Sequence, residues 1–75
     1  MEKLTFELKS DDTEDAYIEL NKMLKILQVA QTGGHANILI TNGEIVVNEE
    51  VEFRKRKKLR RGDLVAARGV EIEIV

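Results

Sequence analysis

The sequence predicts an α+β domain: one strand, two short helices, then a small, mostly antiparallel twisted sheet. Three observations carry this. Lys3 to Lys9 and Val70 to Val75 alternate apolar and polar residues with period two. Leu20, Met23, Leu24 and Leu27 recur at helical spacing, and Ala36, Leu39 and Ile40 form a second such set. Short β-branched runs between turn residues fill the C-terminal part.

Size and composition narrow the class further. With 75 residues the chain is read as one domain, residues 1–75. A chain this short buries only about 60% of its unfolded surface, so its core is modest. It has no Cys to supplement that core with a disulfide or a thiolate metal site. No apolar run approaches the ~20 residues that span a membrane. The stretch Met1-Glu2-Lys3-Leu4-Thr5-Phe6 has no signal-peptide core. The expectation is a cytoplasmic protein with no membrane partner.

In the first strand Leu4, Phe6 and Leu8 share the buried side. The acidic stretch Ser10-Asp11-Asp12-Thr13-Glu14-Asp15 is rich in helix-capping residue types and is expected to be a loop. Through Glu19 the chain carries seven acidic and two basic residues, so this segment is expected to stay off a polyanion. The first helix begins between Asp15 and Glu19 and runs to about Gln28. A late start is preferred, with Ile18 outside it as a hydrophobic staple. Lys22 and Lys25 then share a face away from the buried stripe. Thr32 caps a second helix from Gly33 to about Asn42. Its two glycines are unfavourable by roughly 1 kcal/mol each relative to Ala. Either they let an anion approach open backbone N–H groups closely, or one of them takes a positive φ between the helices.

Asn42-Gly43 ends that helix. Glu44-Ile45-Val46-Val47-Asn48 reads as a strand, Asn48-Glu49-Glu50 as a turn and Val51-Glu52-Phe53 as a short returning strand. After a basic run, Arg61-Gly62-Asp63 is a tight turn, Leu64-Val65-Ala66-Ala67 a fourth strand and Val70 to Val75 the last. The two terminal strands are expected in one sheet.

The basic run is Arg54-Lys55-Arg56-Lys57-Lys58-Leu59-Arg60-Arg61. It holds seven of the chain's twelve Lys and Arg residues, although the net charge is −2. Such segregation concentrates polyanions locally on a protein that is acidic overall. Taken by itself, the run is equally a solvated charged loop.

Catalytic constellations are not legible. His35 is the only histidine, and at a helix start it is more often a surface or capping residue than a catalyst. Asp11 to Asp15 lacks the Gly and terminal Glu of a calcium loop. The acidic pair Glu71 and Glu73 reads as a solvent face. Three aromatics (Phe6, Tyr17 and Phe53) make no interleaved stacking platform. Phe6 belongs to the core face and Tyr17 to core or rim. No enzyme, cofactor or metal is expected.

The ordered set Leu20-Asn21-Lys22-Met23-Leu24-Lys25, Thr32-Gly33-Gly34-His35-Ala36, Gly43-Glu44-Ile45-Val46-Val47-Asn48, Arg54 to Leu59 and Arg61-Gly62-Asp63-Leu64-Val65 resembles a known module. It is similar to the RNA-binding domain named after small-subunit ribosomal protein four, especially the small stand-alone bacterial members of the YbcJ and YaaA type. The similarity covers roughly Ile18 to Val75. It implies a helix pair packed on a small twisted sheet, the α-L motif. It also implies an RNA-facing surface at Lys22, Thr32, Gly33, Gly34, His35 and Asn37 with the run from Arg54. Many stand-alone members have Lys where this chain has Asn37, which removes a charge there. Lys25 joins the set on helical spacing alone.

The function expected is therefore non-catalytic docking on structured RNA. Ribosomal RNA is the favoured target and transfer RNA the second candidate, with the ribosome or its assembly factors as further partners. Lys22, Lys25, Arg54, Lys55, Arg56, Lys57, Lys58, Arg60 and Arg61 would neutralise phosphates, and the N–H groups of Gly33, Gly34 and His35 would receive one. The alternative is a protein-interaction module whose basic run meets an acidic, ribosome-associated partner.

Overall fold

The computed structural model describes residues 2–8 and 16–75. The acidic loop expected over Ser10 to Asp15 lies outside them, as does Lys9.

The period-two ends of the chain form β1 (Glu2–Phe6) and β7 (Val70–Ile74), paired in parallel with Leu4 opposite Ile72 and Phe6 opposite Ile74. Just beyond β1, the Leu8 N–H donates to the Val75 carbonyl at 2.9 Å, and its side chain is buried. The predicted meeting of the two ends is thus found. A parallel pair needs a long crossover, and nearly the whole domain is that crossover. The remaining pairings of the main sheet are antiparallel: β3 (Ile45–Val47) with β4 (Glu50–Val51) and with β6 (Leu64–Ala67), and β6 with β7, in the order β1-β7-β6-β3-β4.

Register puts Val47, Val65, Ile72 and Leu4 in one cross-strand row, and Ile45, Ala67 and Val70 in the next. These side chains join Leu20, Met23 and Leu24 of α1 (Leu20–Ile26) and Ala36, Leu39 and Ile40 of α2 (Gly33–Thr41) in one core. Phe6 packs against its margin. Tyr17 and Phe53 are exposed.

Three expectations need correction in detail. Helix α1 starts at Leu20, one residue later than the range allowed, and stops at Ile26. Gln28 ends it with φ 60° and donates its N–H to the Lys25 carbonyl, as a capping glycine would. Strand β4 starts at Glu50 because Asn48 and Glu49 both take positive φ, 50° and 71°. That makes a two-residue turn whose twist matches the strands and sets Glu50 opposite Val47. Phe53 falls beyond the strand.

The largest difference is in the basic run. It is not simply a loop. Lys58–Leu59 forms β5, paired antiparallel with β2 (Ile18–Glu19), so that Ile18 faces Leu59 and Glu19 faces Lys58. Leu59 is 0% exposed. The carbonyls of Lys57 and Lys55 accept from the N–H groups of Leu20 and Asn21 at 2.9 and 3.1 Å. These are orphan donors of the first turn of α1, and the N-cap side chain of Glu19 makes no bond to them. The run therefore caps α1 with its own backbone. A two-residue strand with one apolar member has no periodicity to reveal it.

Leu59→Ala is expected to cost about 2–4 kcal/mol, as for a fully buried leucine. In a domain of this size that lowers Tm by roughly 10 °C or more. A solvated loop position would change stability by less than about 0.5 kcal/mol. Thermal unfolding followed by circular dichroism separates the two.

Candidate nucleic-acid interface

Helix α2 opens on a closed cap. The Thr32 Oγ1 accepts from the His35 N–H at 3.0 Å, and the His35 Nδ1 accepts from the Gln31 N–H at 3.1 Å. This resembles a capping box, but the histidine reaches back one residue further, to the amide before the N-cap, Gln31, and not to that of Thr32. It assigns His35 the capping role and uses its amide within the cap, so His35 does not offer that N–H to a phosphate as expected. The Ala36 N–H bonds the Thr32 carbonyl. The open donors of the first turn are thus those of Gly33 and Gly34.

Neither glycine has positive φ, and no heavy atom lies within 4 Å of a Cβ built at Gly33. At Gly34 the nearest is Thr32 Oγ1, at an ordinary 3.8 Å. Of the two readings left open by the sequence, positive φ is excluded. What distinguishes these positions is bare backbone facing open space.

Lys22 and Lys25 stand exposed on α1 and share a shallow bay of about 370 Å³ with Glu19, Asn21, Gly33 and Arg56. A second bay, about 530 Å³, is lined by Arg54, Arg56, Lys57, Lys58 and Arg60. Arg56 lines both. The start of α2, the free face of α1 and the basic run are therefore one continuous surface. Its two halves come together because the run's backbone is bonded to the first turn of α1.

Two carboxylates position arginines on this surface. Arg56 Nε meets Glu19 Oε2 at 2.8 Å. Arg54 forks onto Glu52, with Nε to Oε2 at 3.0 Å and Nη2 to Oε1 at 3.1 Å. The hydrogen bond from the Arg54 side chain holds the Glu52 carboxyl below its ordinary pKa, and Arg54 is raised in turn. The last residues of the acidic segment through Glu19, expected to stay off a polyanion, lie beside the basic face: Glu19 holds Arg56, and Tyr17 lies against Lys58 and Arg60. Lys58 Nζ is 4.9 Å, and Arg60 Cζ 5.9 Å, from the centroid of the Tyr17 ring.

The remaining expected residues are placed differently. Asn37 accepts at Oδ1 from Asn21 Nδ2 at 3.1 Å, linking α2 to α1, and does not line either bay. Arg61 Nη2 donates to the Leu8 carbonyl at 3.2 Å. Lys55 is exposed, with its carbonyl engaged by Asn21. Sequence reasoning missed Asn48 and Asp63 as supports of the site. Asp63 accepts the Arg60 N–H at 2.8 Å with Oδ2 and the Asn48 amide at 3.1 Å with Oδ1, while Asn48 Oδ1 accepts from the Leu64 N–H at 2.9 Å. These bonds fix the turn after β5 against the turn after β3, and so fix the backbone that carries Arg60. Their signal was present in the turn-forming character of Asn and Asp.

An α+β domain with one continuous cation-lined face has the build of a small polyanion-binding module. Among its described residues no group of His, Cys, Asp or Glu could hold a metal ion, and no helix is long and apolar enough to cross a membrane. A family model described as S4 domain matches residues 12–75, and the chain belongs to that family. The probable ribosome maturation protein RlbA of Bacillus subtilis is 40% identical over 60 residues, 80% of this chain and 82% of the relative. The putative RNA-binding protein YbcJ of Escherichia coli is 34% identical over 59 residues, 79% and 84% of the two chains. The solution structure of E. coli YbcJ, described as revealing an αL motif involved in RNA binding, superposes with a TM-score of 0.68 at 32% identity. That match covers 95% of this chain and 85% of YbcJ. The two-helix and sheet arrangement is therefore that of the αL fold.

Because both glycines have helical space for a methyl group, Gly33→Ala is expected to stabilise the domain by about 0.5–1 kcal/mol. Tm would rise by roughly 2–8 °C. A fall in Tm on calorimetry would contradict the open geometry described for this helix start.

Proposed function

We propose that this protein binds structured RNA without catalysis, laying it across the two bays that meet at Arg56. The name of the E. coli relative supports RNA as the ligand; ribosomal RNA is the favoured target, as the ribosome-maturation name of the B. subtilis relative supports, and transfer RNA is the second candidate. The observation that carries the proposal is the sharing of Arg56 by both bays, which makes one cationic surface of two stretches distant in sequence. Lys22, Lys25, Arg56, Lys57, Lys58 and Arg60 neutralise phosphates, and the bare backbone at Gly33 and Gly34 receives one more. Paired RNA offers phosphates, 2′-hydroxyls and shape, with its base edges poorly accessible in the deep groove. Recognition by so small a face therefore follows shape more than sequence. The working place of such a protein is the cytoplasm, beside the ribosome or its assembly factors.

Fluorescence anisotropy of a structured ribosomal-RNA hairpin, against duplex DNA of equal length, tests this. Submicromolar affinity with preference for the RNA is expected. If about five phosphates are neutralised, log affinity falls with log salt at a slope of about −4 to −5. Lys25→Gln and Lys57→Gln, one in each bay, should each weaken binding and flatten that slope by about 1. Weak binding, equal for RNA and DNA and indifferent to both variants, would reject the proposal in favour of an acidic protein partner for the basic run. Gly33→Ala adds an independent check, because the variant expected to be more stable is also expected to bind RNA less tightly.

A further inference from the structure

Tyr17 is the feature that phosphate neutralisation leaves unused. It immediately precedes β2. Extending the register of Ile18 opposite Leu59 and Glu19 opposite Lys58 sets Tyr17 across from Arg60. Alternation then turns Ile18 and Leu59 to the core and leaves Tyr17, Glu19, Lys58 and Arg60 on the outer face of the ribbon. Tyr17 is 46% exposed, with the Lys58 ammonium and the Arg60 guanidinium 4.9 and 5.9 Å from its ring centroid. Lys58 and Arg60 also line the larger basic bay. Phe53, the other exposed aromatic, has its ring beside Gly43, and no cation is found over it among the described residues.

We propose that Tyr17 is a stacking platform for one unpaired base of the bound RNA, with Lys58 and Arg60 engaging the phosphates that flank it. This rests on the RNA-binding reading above and sharpens it: the preferred target is a helix carrying a bulged or unpaired nucleotide. The physical argument is one of matching surfaces. A paired helix keeps its base faces inside the stack and offers an exposed phenol ring nothing to stack on. An unstacked base offers a π-face of any sequence, and aromatic rings beside a basic groove are the usual receivers of such bases. Cation–π contacts at exposed sites are weak enough for the two cations to exchange the ring for phosphates. Lys58 in β5 and Arg60 just after it are two residues apart on one side of the chain, roughly 6.6 Å apart if the extended backbone continues. They can therefore engage successive phosphates while the base between them lies on the ring.

The test compares a hairpin containing one unpaired adenosine with the same hairpin lacking it. The wild-type protein is expected to prefer the bulged hairpin. Tyr17→Leu, which keeps apolar bulk without the π-face, should lose about tenfold affinity for the bulged RNA and less than about twofold for the paired one. Tyr17→Phe should retain the preference. The chain has one Tyr and no Trp, so tyrosine ring resonances in NMR report this side chain alone. They should move upfield on adding the bulged hairpin and hold still with the paired one. Equal losses on both RNAs in Tyr17→Leu would show a prop for Lys58 and Arg60 and overturn the proposal. So would a wild-type protein that binds both hairpins equally with an unmoved ring. If neither hairpin binds better than duplex DNA, the RNA-binding reading fails together with this one.

Discussion

The structure depends on the way the basic run is held against the first turn of α1. Lys and Arg side chains repel one another, and seven of them in eight positions would keep an unsupported segment extended and solvated. Here the backbone overrides the side chains. Leu59 enters the core, Lys58–Leu59 pairs with Ile18–Glu19, and the carbonyls of Lys55 and Lys57 close the open donors of α1. Burying the leucine and satisfying two orphan amides offset the crowding of charge. The result is a cationic surface whose cations have fixed origins.

That surface is also tuned by the few acids within it. Exposed ion pairs contribute little to stability, and the guanidinium groups of Arg54 and Arg56 are mostly exposed. The value of Glu52 and Glu19 is therefore positional. They choose a rotamer for each arginine and hold it beside the bays. Since the Glu52 carboxyl is lowered first by its hydrogen bond from Arg54, the restraint on Arg54 is complete at neutral pH. It is lost as pH falls below the ordinary carboxylate range and through the lowered value. On the other side of the site, the Asn48–Asp63 bonds do for Arg60 what the acids do for Arg54 and Arg56, acting through the main chain instead of the side chain.

The helix start at Gly33 follows a different logic. A closed cap of Thr32 and His35 gives α2 a defined beginning, and the glycines after it give up helix propensity without any backbone strain to require them. Local stability is thus lower than the geometry permits. On the proposed RNA-binding reading, the glycines serve a backbone surface, since a side chain at Gly33 would stand between the amide and an approaching anion. Asn21 and Asn37 set the angle at which this start faces α1. Membership of the S4 domain family gives these particulars a common setting, the αL helix pair packed on a small sheet.

Much of this was legible in the residues themselves. Alternation in Lys3 to Lys9 and Val70 to Val75 located the joined terminal strands, because a half-buried strand writes a period of two directly into the sequence. Helical spacing located the buried sides of α1 and α2 for the same reason, and Thr32 announced its cap. The density of the basic run gave the chemistry of the surface. The tertiary structure alone decided the rest. No local pattern marks Leu59 as core, or turns Lys55 and Lys57 into backbone caps, since both depend on what lies across from them. Nor could spacing reveal that Arg56 joins two bays, that Asn37 is engaged by Asn21, or that Tyr17 lies under Lys58 and Arg60. Periodicity reports which side of its own element a residue occupies, whereas a binding surface is made where elements distant in sequence meet.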